Sequence, residues 1–550
     1  MRTPKTISSN EIKTMNKPQS NTILAFFLFG IVSTIILWWL WSDTFIAEFH
    51  SDTADTLIWA EAAREAGGLA SSTLRYNYFI PFGDSLFLRP LLPLLGVSIT
   101  TIRCSMTLFL LVFAFAVCRL FRSFHWSWYA CGLSAALVLS VASATMKMRE
   151  IYFGHALYYS LATVFLCFAF SCMQIPTNSS LNSHRPRLTT DFLFAICMAW
   201  AASCGKPIVL YVTIPVLGAW MFIRMDDPAP IFRNRDGGTF FSGIAGTIIG
   251  FGLFSFVSRH VSPSDYGDFY GQFSHPDQWW EHLEALPRQW IALLSPLNLA
   301  GTTFATAEGV FAAFFVAFAL VLAIAPVVAL VRIRLFPPQE RGFVAAHWIL
   351  TAEILFLWFF GNISDGNWRL CPMALSATIV TACLIRHIAK DSKVFSRRVG
   401  ICLALFLSCA CMLTQIRTMT LPYGKEVWYG SGTLISLLEE IGAEDGYCTD
   451  YWFSNAITVL TKTRIRIRQV ERRDSEGWRA RPYLTDSLWF EPNSCKTRTV
   501  FICHPQEERF APTERLISRF KCVQQDVRND CYTKFVVLVY DGDCMAKKEK

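Results

Sequence analysis

Two carboxylates, Asp52 and Asp55, stand three residues apart in EFHSDTADTLIWAEAAREAGGL, residues 48–69. An ionised carboxylate in the first turn of a helix can take a proton from a hydroxyl group, and the positive end of the helix dipole keeps it ionised. The same spacing also fits a helix cap, with Asp52 at the N-cap and Asp55 at the third helical position. The stretch predicts a helix that lies on a membrane surface and ends at the two glycines 67–68.

Other charged residues fall at the boundaries of apolar segments, where charge is costly and is usually paired or functional. They are Lys147, Arg149, Glu150 and His155 in MKMREIYFGHALYY (146–159), Lys206 in SCGKPIVL (203–210), and Asp365 and Arg369 in GNISDGNWRLCP (361–372). A guanidinium at such a boundary suits bidentate binding of a phosphate. The alternative for the first group is that its basic side chains reach towards lipid headgroups, with Glu150 as a local ion-pair partner.

Two loop stretches carry aromatic and polar side chains. In YNYFIPFGDSLFLRP (76–90), Tyr76 and Tyr78 either line a cleft for a sugar or a lipid, or anchor the loop at the membrane interface. The stretch SHPDQWWEHLEALPRQWIALLSP (274–296) predicts an interfacial helix. Its candidate metal ligands are His275, Asp277, Glu281 and His282. Their spacing fits no recognised zinc or calcium pattern, so no metal site is predicted there.

The elements that must position these residues are membrane spans. The 550-residue chain is 53% hydrophobic with a mean hydropathy of +0.35, which excludes an ordinary soluble protein. About 20 apolar residues cross a bilayer. Eleven spans are predicted, at about 22–42, 98–118, 128–146, 151–173, 190–205, 207–223, 239–258, 310–331, 343–360, 371–386 and 400–416. The first is too long for a cleavable signal peptide and is expected to remain as an anchor.

Positive charge assigns the two sides of this predicted bundle. Lys and Arg are concentrated in residues 1–21 and in the short connections that follow the second, fourth, sixth, eighth and tenth spans. The long loops 43–97 and 259–309 carry only Arg64, Arg75, Arg89, Arg259 and Arg288. The positive-inside rule therefore predicts a cytoplasmic N-terminus, and an odd number of spans places the C-terminal part outside. The net charge of +8 is mostly of this kind, so no nucleic-acid partner is predicted.

Residues 419–550 are predicted to form a separate soluble domain outside the bundle of 22–418. Helical patterns such as SNAITVLTKT (454–463) and PTERLISRFKC (512–522) alternate with strand patterns such as RIRIRQV (464–470), which indicates a small α/β domain. Its cysteines are Cys448, Cys495, Cys503, Cys522, Cys531 and Cys544. An even set in an exported domain predicts up to three disulfides, with undetermined pairing.

The assembled pattern resembles the GT-C superfamily of membrane glycosyltransferases, in particular the protein mannosyltransferases that use dolichyl-phosphate mannose and the aminoarabinose transferases that modify lipid A. In that family an acidic motif and an amphipathic juxtamembrane helix follow the first span, and SDTADTLIWAEAAREAGG is similar. The resemblance implies Asp52 or Asp55 as the catalytic acid and Glu150 as the acid of the second external loop. It also implies that Arg369, in WRLCP (368–372), corresponds to the family's basic residue before a proline.

This sequence departs from the family pattern in two places. The family's Asp-Glu pair and its Arg-Tyr dipeptide are both absent. The choice between Asp52 and Asp55 therefore stays open, and Asp52 is favoured because it lies closer to the membrane exit.

The resemblance implies a hexosyl- or pentosyltransferase that moves a sugar from a polyprenyl-phosphate donor to an extracytoplasmic glycolipid, polysaccharide or protein, with inversion. Arg369, with Lys206 or Arg149, would bind the lipid phosphate. Tyr76, Tyr78, His155 and Asp365 would line the substrate cleft. No cofactor is implied beyond the lipid-linked donor, although some members of the superfamily use a divalent cation.

The implied location is a bacterial inner membrane. Two other functions compete with transfer: a lipid-linked saccharide transporter and a non-catalytic envelope scaffold. Transport is disfavoured, because the candidate charges cluster at the outer boundary and no inverted repeat is evident.

Overall fold

The computed structural model describes most of the chain. The described ranges are 9–76, 79–173, 187–225, 237–261, 269–297, 303–391, 393–419, 432–473, 477–481, 486–490, 498–513, 515–526 and 531–544. Tyr78 and Cys495, two residues singled out by the sequence, lie outside them.

The first three-quarters of the chain is a helical bundle with short helices in its loops. Its helices are α1 (Ser9–Trp41), α2 (Asp43–Glu48), α3 (Ser51–Glu65), α4 (Ser85–Leu88), α5 (Leu92–Leu95), α6 (Ile99–Ser123), α7 (Trp128–Ala142), α8 (Met146–Arg149), α9 (Tyr158–Cys172), α10 (Arg187–Ser203), α11 (Lys206–Ile208), α12 (Ile214–Met225), α13 (Gly237–Ser258), α14 (Trp279–Leu294), α15 (Ala307–Val331), α16 (Pro338–Phe360), α17 (Cys371–Ala389) and α18 (Val394–Met419). Single π-helical turns, Glu150–Gly154 and Val209–Thr213, follow α8 and α11.

Eight helical segments within the described residues are long and apolar enough to cross a membrane, and nine are if α7 and the helix after it form one bent span. That pair bends by 109°, and α9 and residues 189–203 of α10 are shorter apolar helices. All eleven predicted positions are therefore helical, but the third is broken and the fourth and fifth are short. The break falls at Ser143–Thr145, directly before the charged residues 147–150, which cannot continue an apolar span.

The C-terminal part is a six-stranded sheet with helices α19 (Gly432–Glu440) and α20 (Ser454–Leu460). Its strands are β1 (Asp445–Cys448), β2 (Arg466–Arg473), β3 (Gly477–Ala480), β4 (Arg498–Cys503), β5 (Leu516–Asp526) and β6 (Cys531–Asp541). The strand order is β3-β2-β1-β4-β6-β5, with β1 parallel to β2 and β4 and the other pairs antiparallel. The predicted α/β class is thus confirmed.

One prediction for this domain is wrong. The segment 512–522 is predicted to be helical, yet residues 516–522 belong to β5, because pairing with β6 along the strand overrides a local helical spacing. The prediction of up to three disulfides is reduced to one at most: Cys448, Cys503, Cys522 and Cys544 are free thiols, and the side chains of Cys495 and Cys531 lie outside the described part of the chain.

The sheet domain sits directly on α3 of the bundle. The hydrophobic core of the bundle extends into it through Ala456 and Val459 of α20. Two polar contacts add to this junction: the Ser51 amide donates to the Trp452 carbonyl at 3.1 Å, and the Thr73 hydroxyl donates to Asp486 at 3.1 Å. The end of the bundle where α3 lies therefore carries the C-terminal domain.

Candidate active site

The aspartates of the opening stretch both lie in α3, but neither caps it. The N-cap is His50, whose Nδ1 accepts a hydrogen bond from the Asp52 amide at 3.2 Å. The predicted capping box is therefore wrong, because an imidazole takes the role expected of Asp52. The predicted end of the helix is confirmed: α3 stops at Glu65 and Gly67 has a φ of +67°, a conformation that favours glycine. Both carboxylates are left available for other contacts.

The partners of both carboxylates come from the C-terminal domain, about 400 residues away in sequence. The Tyr451 hydroxyl donates a short hydrogen bond to Asp52. The Asn455 amide donates to Asp55 at 2.6 Å. Asp52 is half-buried, whereas Asp55 is 2% exposed. The two acids thus differ in access: only Asp52 can meet a molecule that enters from outside.

Burial also changes the protonation of Asp55. Loss of hydration raises the pKa of Asp55 well above its ordinary value, and the nearby charge of Asp52 raises it further. The Asn455 hydrogen bond and the Arg481 guanidinium oppose this shift but do not cancel it. A carboxyl group that favours its protonated form is a poor proton acceptor at neutral pH.

Glu150 and His50 extend the acidic cluster. One Glu150 oxygen lies 3.4 Å from His50 Nε2, and the other accepts from the Lys147 ammonium at 2.7 Å. Glu150 is 7% exposed, so this ion pair is largely shielded from water. The pairing of Lys147 with Glu150 agrees with the local ion pair that the sequence left open.

His155 is buried beside this cluster. It is 4% exposed and lies near enough to Glu150 and Asp52 for their charges to act on it, and its Nδ1 has no hydrogen-bond partner in the described structure. A buried polar atom without a partner is costly. This nitrogen is therefore available to a ligand that reaches the cluster.

The two arginines proposed for phosphate binding lie in different surroundings. Arg149 donates to both oxygens of Glu48, at 2.5 and 3.3 Å, and its guanidinium lies 5.6 Å from the centre of the Trp39 ring. Both members of this ion pair are buried. A phosphate would have to displace Glu48 to reach Arg149.

Arg369 is also buried, but its carboxylate partner is exposed. Its Nε donates to Asp365 at 3.0 Å, and the Asp365 side chain is 48% exposed. The guanidinium lies 4.1 Å from the ring centre of Tyr270 and 5.7 Å from that of Trp368. A phosphate that displaces Asp365 would meet a guanidinium already oriented by two aromatic rings.

The remaining described candidates are Lys206 and Tyr76. Lys206 is exposed at the start of α11. Tyr76 is buried, and its hydroxyl accepts from the Ser71 amide at 2.8 Å. Tyr76 also lines a small cavity of about 30 Å³, together with Thr56, Trp59 and Asp84. Tyr76 therefore packs in the interior of the protein around a small cavity, and it does not line an open cleft.

Asp84 is an acid that the sequence did not single out. It is 4% exposed, and neither oxygen makes a hydrogen bond of ordinary geometry within the described residues. Burial raises its pKa to about 7, although the Thr56 hydroxyl and the Ala156 amide lie near enough to oppose the shift. Asp84 sits in a loop outside the membrane spans, close to the first turns of α3.

One group of side chains has the composition of a cation site. A ligand atom from each of His50, Asp52 and Glu150 lies within 4.8 Å of the others, and one imidazole with two carboxylates suits a divalent transition metal. However, the Lys147 ammonium already supplies a positive charge to Glu150. The donor types fit a cation, but a cation bound there would share Glu150 with the Lys147 ammonium, and two positive charges near one carboxylate disfavour its binding.

The acids and imidazoles of the segment 274–296 do not gather into such a group. His275 Nδ1 lies 3.1 Å from Asp277 on an exposed turn, whereas His282 is buried and faces the Phe359 carbonyl at 3.1 Å. The predicted helix of this segment is confirmed as α14, which contains His282.

Comparisons with known proteins support the fold. No family model and no curated protein matches the chain. Two solved structures of ArnT from Cupriavidus metallidurans are similar. The apo form has a TM-score of 0.54 at 12% identity and covers 93% of this chain and 97% of its own. The form bound to undecaprenyl phosphate has a TM-score of 0.54 at 13% identity and covers 95% and 99%. The chain therefore has the fold of ArnT over nearly its whole length, bundle and C-terminal domain together.

Proposed function

We propose that this protein is a membrane glycosyltransferase that moves a sugar from a polyprenyl-phosphate donor to a hydroxyl of an extracytoplasmic acceptor. The observation that carries the proposal is the position of Asp52. It is a half-buried carboxylate at the junction of bundle and C-terminal domain, in a chain with the fold of a protein crystallised with undecaprenyl phosphate. The GT-C resemblance of the sequence implies Asp52 or Asp55 as the catalytic acid.

Asp52 is the general base in this proposal. The acceptor oxygen attacks the anomeric carbon of the donor sugar, the bond from that carbon to the phosphate oxygen breaks, and the acceptor proton passes to Asp52. Polyprenyl phosphate leaves, and the single displacement inverts the anomeric centre. Asp55 is unsuited to this role, because its raised pKa favours the protonated form and the side chain is 2% exposed.

Arg369 binds the phosphate of the donor lipid. Its charge stabilises the negative charge that develops on the leaving phosphate, which is worth most in a site shielded from water. Asp365 holds the guanidinium in place before the lipid arrives and is exposed enough to move aside. Of the two arginines, Arg149 has the less suitable surroundings, because Glu48 occupies two of its donors.

The direct test is donor turnover by the purified protein in proteoliposomes. The probes are undecaprenyl-phosphate esters of radiolabelled glucose, galactose, mannose and aminoarabinose, and bacterial envelope glycolipid, polysaccharide and protein supply the acceptor hydroxyls. The readouts are release of undecaprenyl phosphate and transfer of the radiolabel to an acceptor. We expect turnover of at least one ester by the wild type and a loss of more than about 100-fold in Asp52→Asn, in the range typical of a general base.

The matched control is Glu65→Gln, which neutralises an exposed acid of the same helix. It is expected to retain full turnover. If Asp52→Asn turned over donor as fast as Glu65→Gln, the assignment of the base would be wrong. A transporter or a scaffold would bind the lipid without releasing undecaprenyl phosphate from any ester.

A further inference from the structure

We infer that the C-terminal domain completes the active site, with Tyr451 and Asn455 as positioning residues for Asp52 and Asp55. The inference rests on the proposed function and concerns how that site is held. Asp52 and Asp55 of α3 both receive hydrogen bonds from the loop and helix that follow β1. Bundle and domain would therefore form one catalytic unit.

The contacts at the junction form a continuous series. Tyr451 follows the carboxyl end of β1, where the chain leaves the sheet towards α3. The next residue, Trp452, accepts from the Ser51 amide at 3.1 Å, and its ring lies edge-on to His50 with the ring centres 5.5 Å apart. The loop thus touches the residue before Asp52 and the residue that caps its helix.

The same loop is braced from within the C-terminal domain. Asp450 accepts from the Trp452 amide at 2.8 Å and lies 3.0 Å from His504 Nε2, at the end of β4. The Arg481 guanidinium lies 5.5 Å from the centre of the Tyr451 ring, and Glu471 lies 3.8 Å from that guanidinium. Three separate segments of the domain therefore fix where the Tyr451 hydroxyl points.

The two hydrogen-bond donors, Tyr451 and Asn455, have different roles. A donated hydrogen bond orients a carboxylate and stabilises its ionised form, which is what a base requires. The Asp52 carboxylate that receives the Tyr451 bond remains half-exposed and so keeps lone pairs for a substrate proton. Asn455 is fully buried and satisfies an acid that no substrate reaches. Tyr451 therefore orients the base, and Asn455 holds the neighbouring acid and the start of α3 in place.

The test uses Tyr451→Phe, which removes one hydroxyl and keeps the ring. The matched control is Tyr447→Phe, whose hydroxyl donates to Asp543 at 2.8 Å within the same domain. The measurements are kcat and KM for the donor ester that the wild type turns over, the Kd for undecaprenyl phosphate, and the melting temperature in detergent. Asn455→Asp is the second variant, because it keeps the side-chain shape and replaces the donor with a carboxyl.

A hydrogen bond to a charged group is typically strong enough that its loss lowers a rate about 10- to 100-fold. We expect Tyr451→Phe to lower kcat by this factor, while KM and the Kd for undecaprenyl phosphate change less than about twofold. Tyr447→Phe is expected to keep the wild-type kcat. Asn455→Asp is expected to lower both kcat and the melting temperature, because two carboxyl groups then meet in a buried place.

The outcomes separate the two proposals. If Asp52→Asn abolishes turnover but Tyr451→Phe and Tyr447→Phe have equal kcat values, the inference is overturned and the proposed function stands. A fall in the melting temperature of Tyr451→Phe with an unchanged kcat per folded molecule would also overturn it, since the contact would then be structural. If the wild type turns over no ester, the proposed function fails and this inference fails with it.

Discussion

The two ends of the candidate site are built in opposite ways. The acidic end consists of Asp52, Asp55 and Glu150, and the contacts to its two aspartates come from residues far away in sequence. The basic end consists of Arg369 with Asp365, its partner four residues earlier, and the rings of Tyr270 and Trp368. At the acidic end the two aspartates are held by a distant part of the chain, whereas at the basic end the arginine donates to Asp365, a partner that is local and exposed.

This difference in burial and in partners indicates which charged side chains are available to a ligand. A buried ion pair such as Arg149–Glu48 is costly to separate, because each partner would be left unpaired away from water. A pair with one exposed member can exchange that member for another anion at much lower cost. This difference supports our proposal that an incoming phosphate binds at the basic end and that the acidic end holds a base of fixed position.

Arg149→Ala tests the structural side of this comparison and should have the largest effect. Removal of one member of a buried ion pair typically costs about 3–5 kcal/mol of folding free energy. We expect a large fall in the melting temperature in detergent. Arg64→Ala, which breaks the exposed pair with Glu61, is the control and should change stability little. Equal melting temperatures for the two variants would contradict the structural role of Arg149.

The buried acid Asp84 offers a test by pH. Its pKa of about 7 in the folded state lies above the value near 4 expected for the unfolded chain. The folded protein keeps this proton up to a higher pH than the unfolded chain does. The free energy of unfolding therefore falls as pH rises from about 4 to about 7, and it stays at the lower value above that range. The linkage amounts to about 4 kcal/mol at most.

We therefore expect Asp84→Asn to melt at a higher temperature than the wild type at pH 8 and to show a weaker decline between pH 5 and pH 8. Thermal melts across this range measure both. Parallel pH curves for the two proteins would mean that Asp84 is ionised in the folded state at all these pH values.

Arg369→Lys tests the basic end. Lysine keeps the charge but loses the planar fork that binds a phosphate through two hydrogen bonds. We expect the Kd for undecaprenyl phosphate to rise about 10- to 100-fold, with a melting temperature close to that of the wild type. If Arg369→Lys bound undecaprenyl phosphate with the Kd of the wild type, Arg369 would not be the phosphate-binding residue.

Lys206→Ala should have a much smaller effect on the same measurement. Lys206 is exposed at the start of α11, where an ammonium interacts with a phosphate mainly through screened charge. We expect a change in Kd of less than about threefold, which diminishes further at high salt. A loss as large as that of Arg369→Lys would make Lys206 a direct ligand of the phosphate.

Chelation should have the smallest effect of all. Because Lys147 already neutralises Glu150, dialysis against EDTA is expected to leave donor turnover within about twofold of its starting value. Loss of turnover that Mn²⁺ or Zn²⁺ restores would show instead that His50, Asp52 and Glu150 hold a cation.

The helical positions were largely predictable from the sequence, because a bilayer requires long apolar segments whose composition is visible locally. The predictions failed where the structure of one segment depends on another segment. The stretch 512–522 has helical spacing but pairs as β5 against β6, and the third span breaks before a charged turn. Local patterns do not report which partner strand is available or how a short charged segment is accommodated.

The candidate site divides in the same way. Asp52, Glu150 and Arg369 were identified because charge at an apolar boundary is unusual in any sequence. His50, Tyr451, Asn455 and Asp84 were not, since a histidine before a helix, a tyrosine in a loop, an asparagine in a helix and an aspartate in a turn are each ordinary.

The sequence alone determined that the chain spans a membrane, that a separate α/β domain follows the bundle, and that acids and bases gather at segment boundaries. Hydropathy and charge are properties of each residue and can be summed along the chain, so they are known before the fold is known. Only the tertiary structure decided that His50 rather than Asp52 caps α3, that Asp55 is buried and Asp52 accessible, and that Glu48 already holds Arg149. These distinctions depend on burial and on partners distant in sequence, and both exist only once the domain has packed against the bundle.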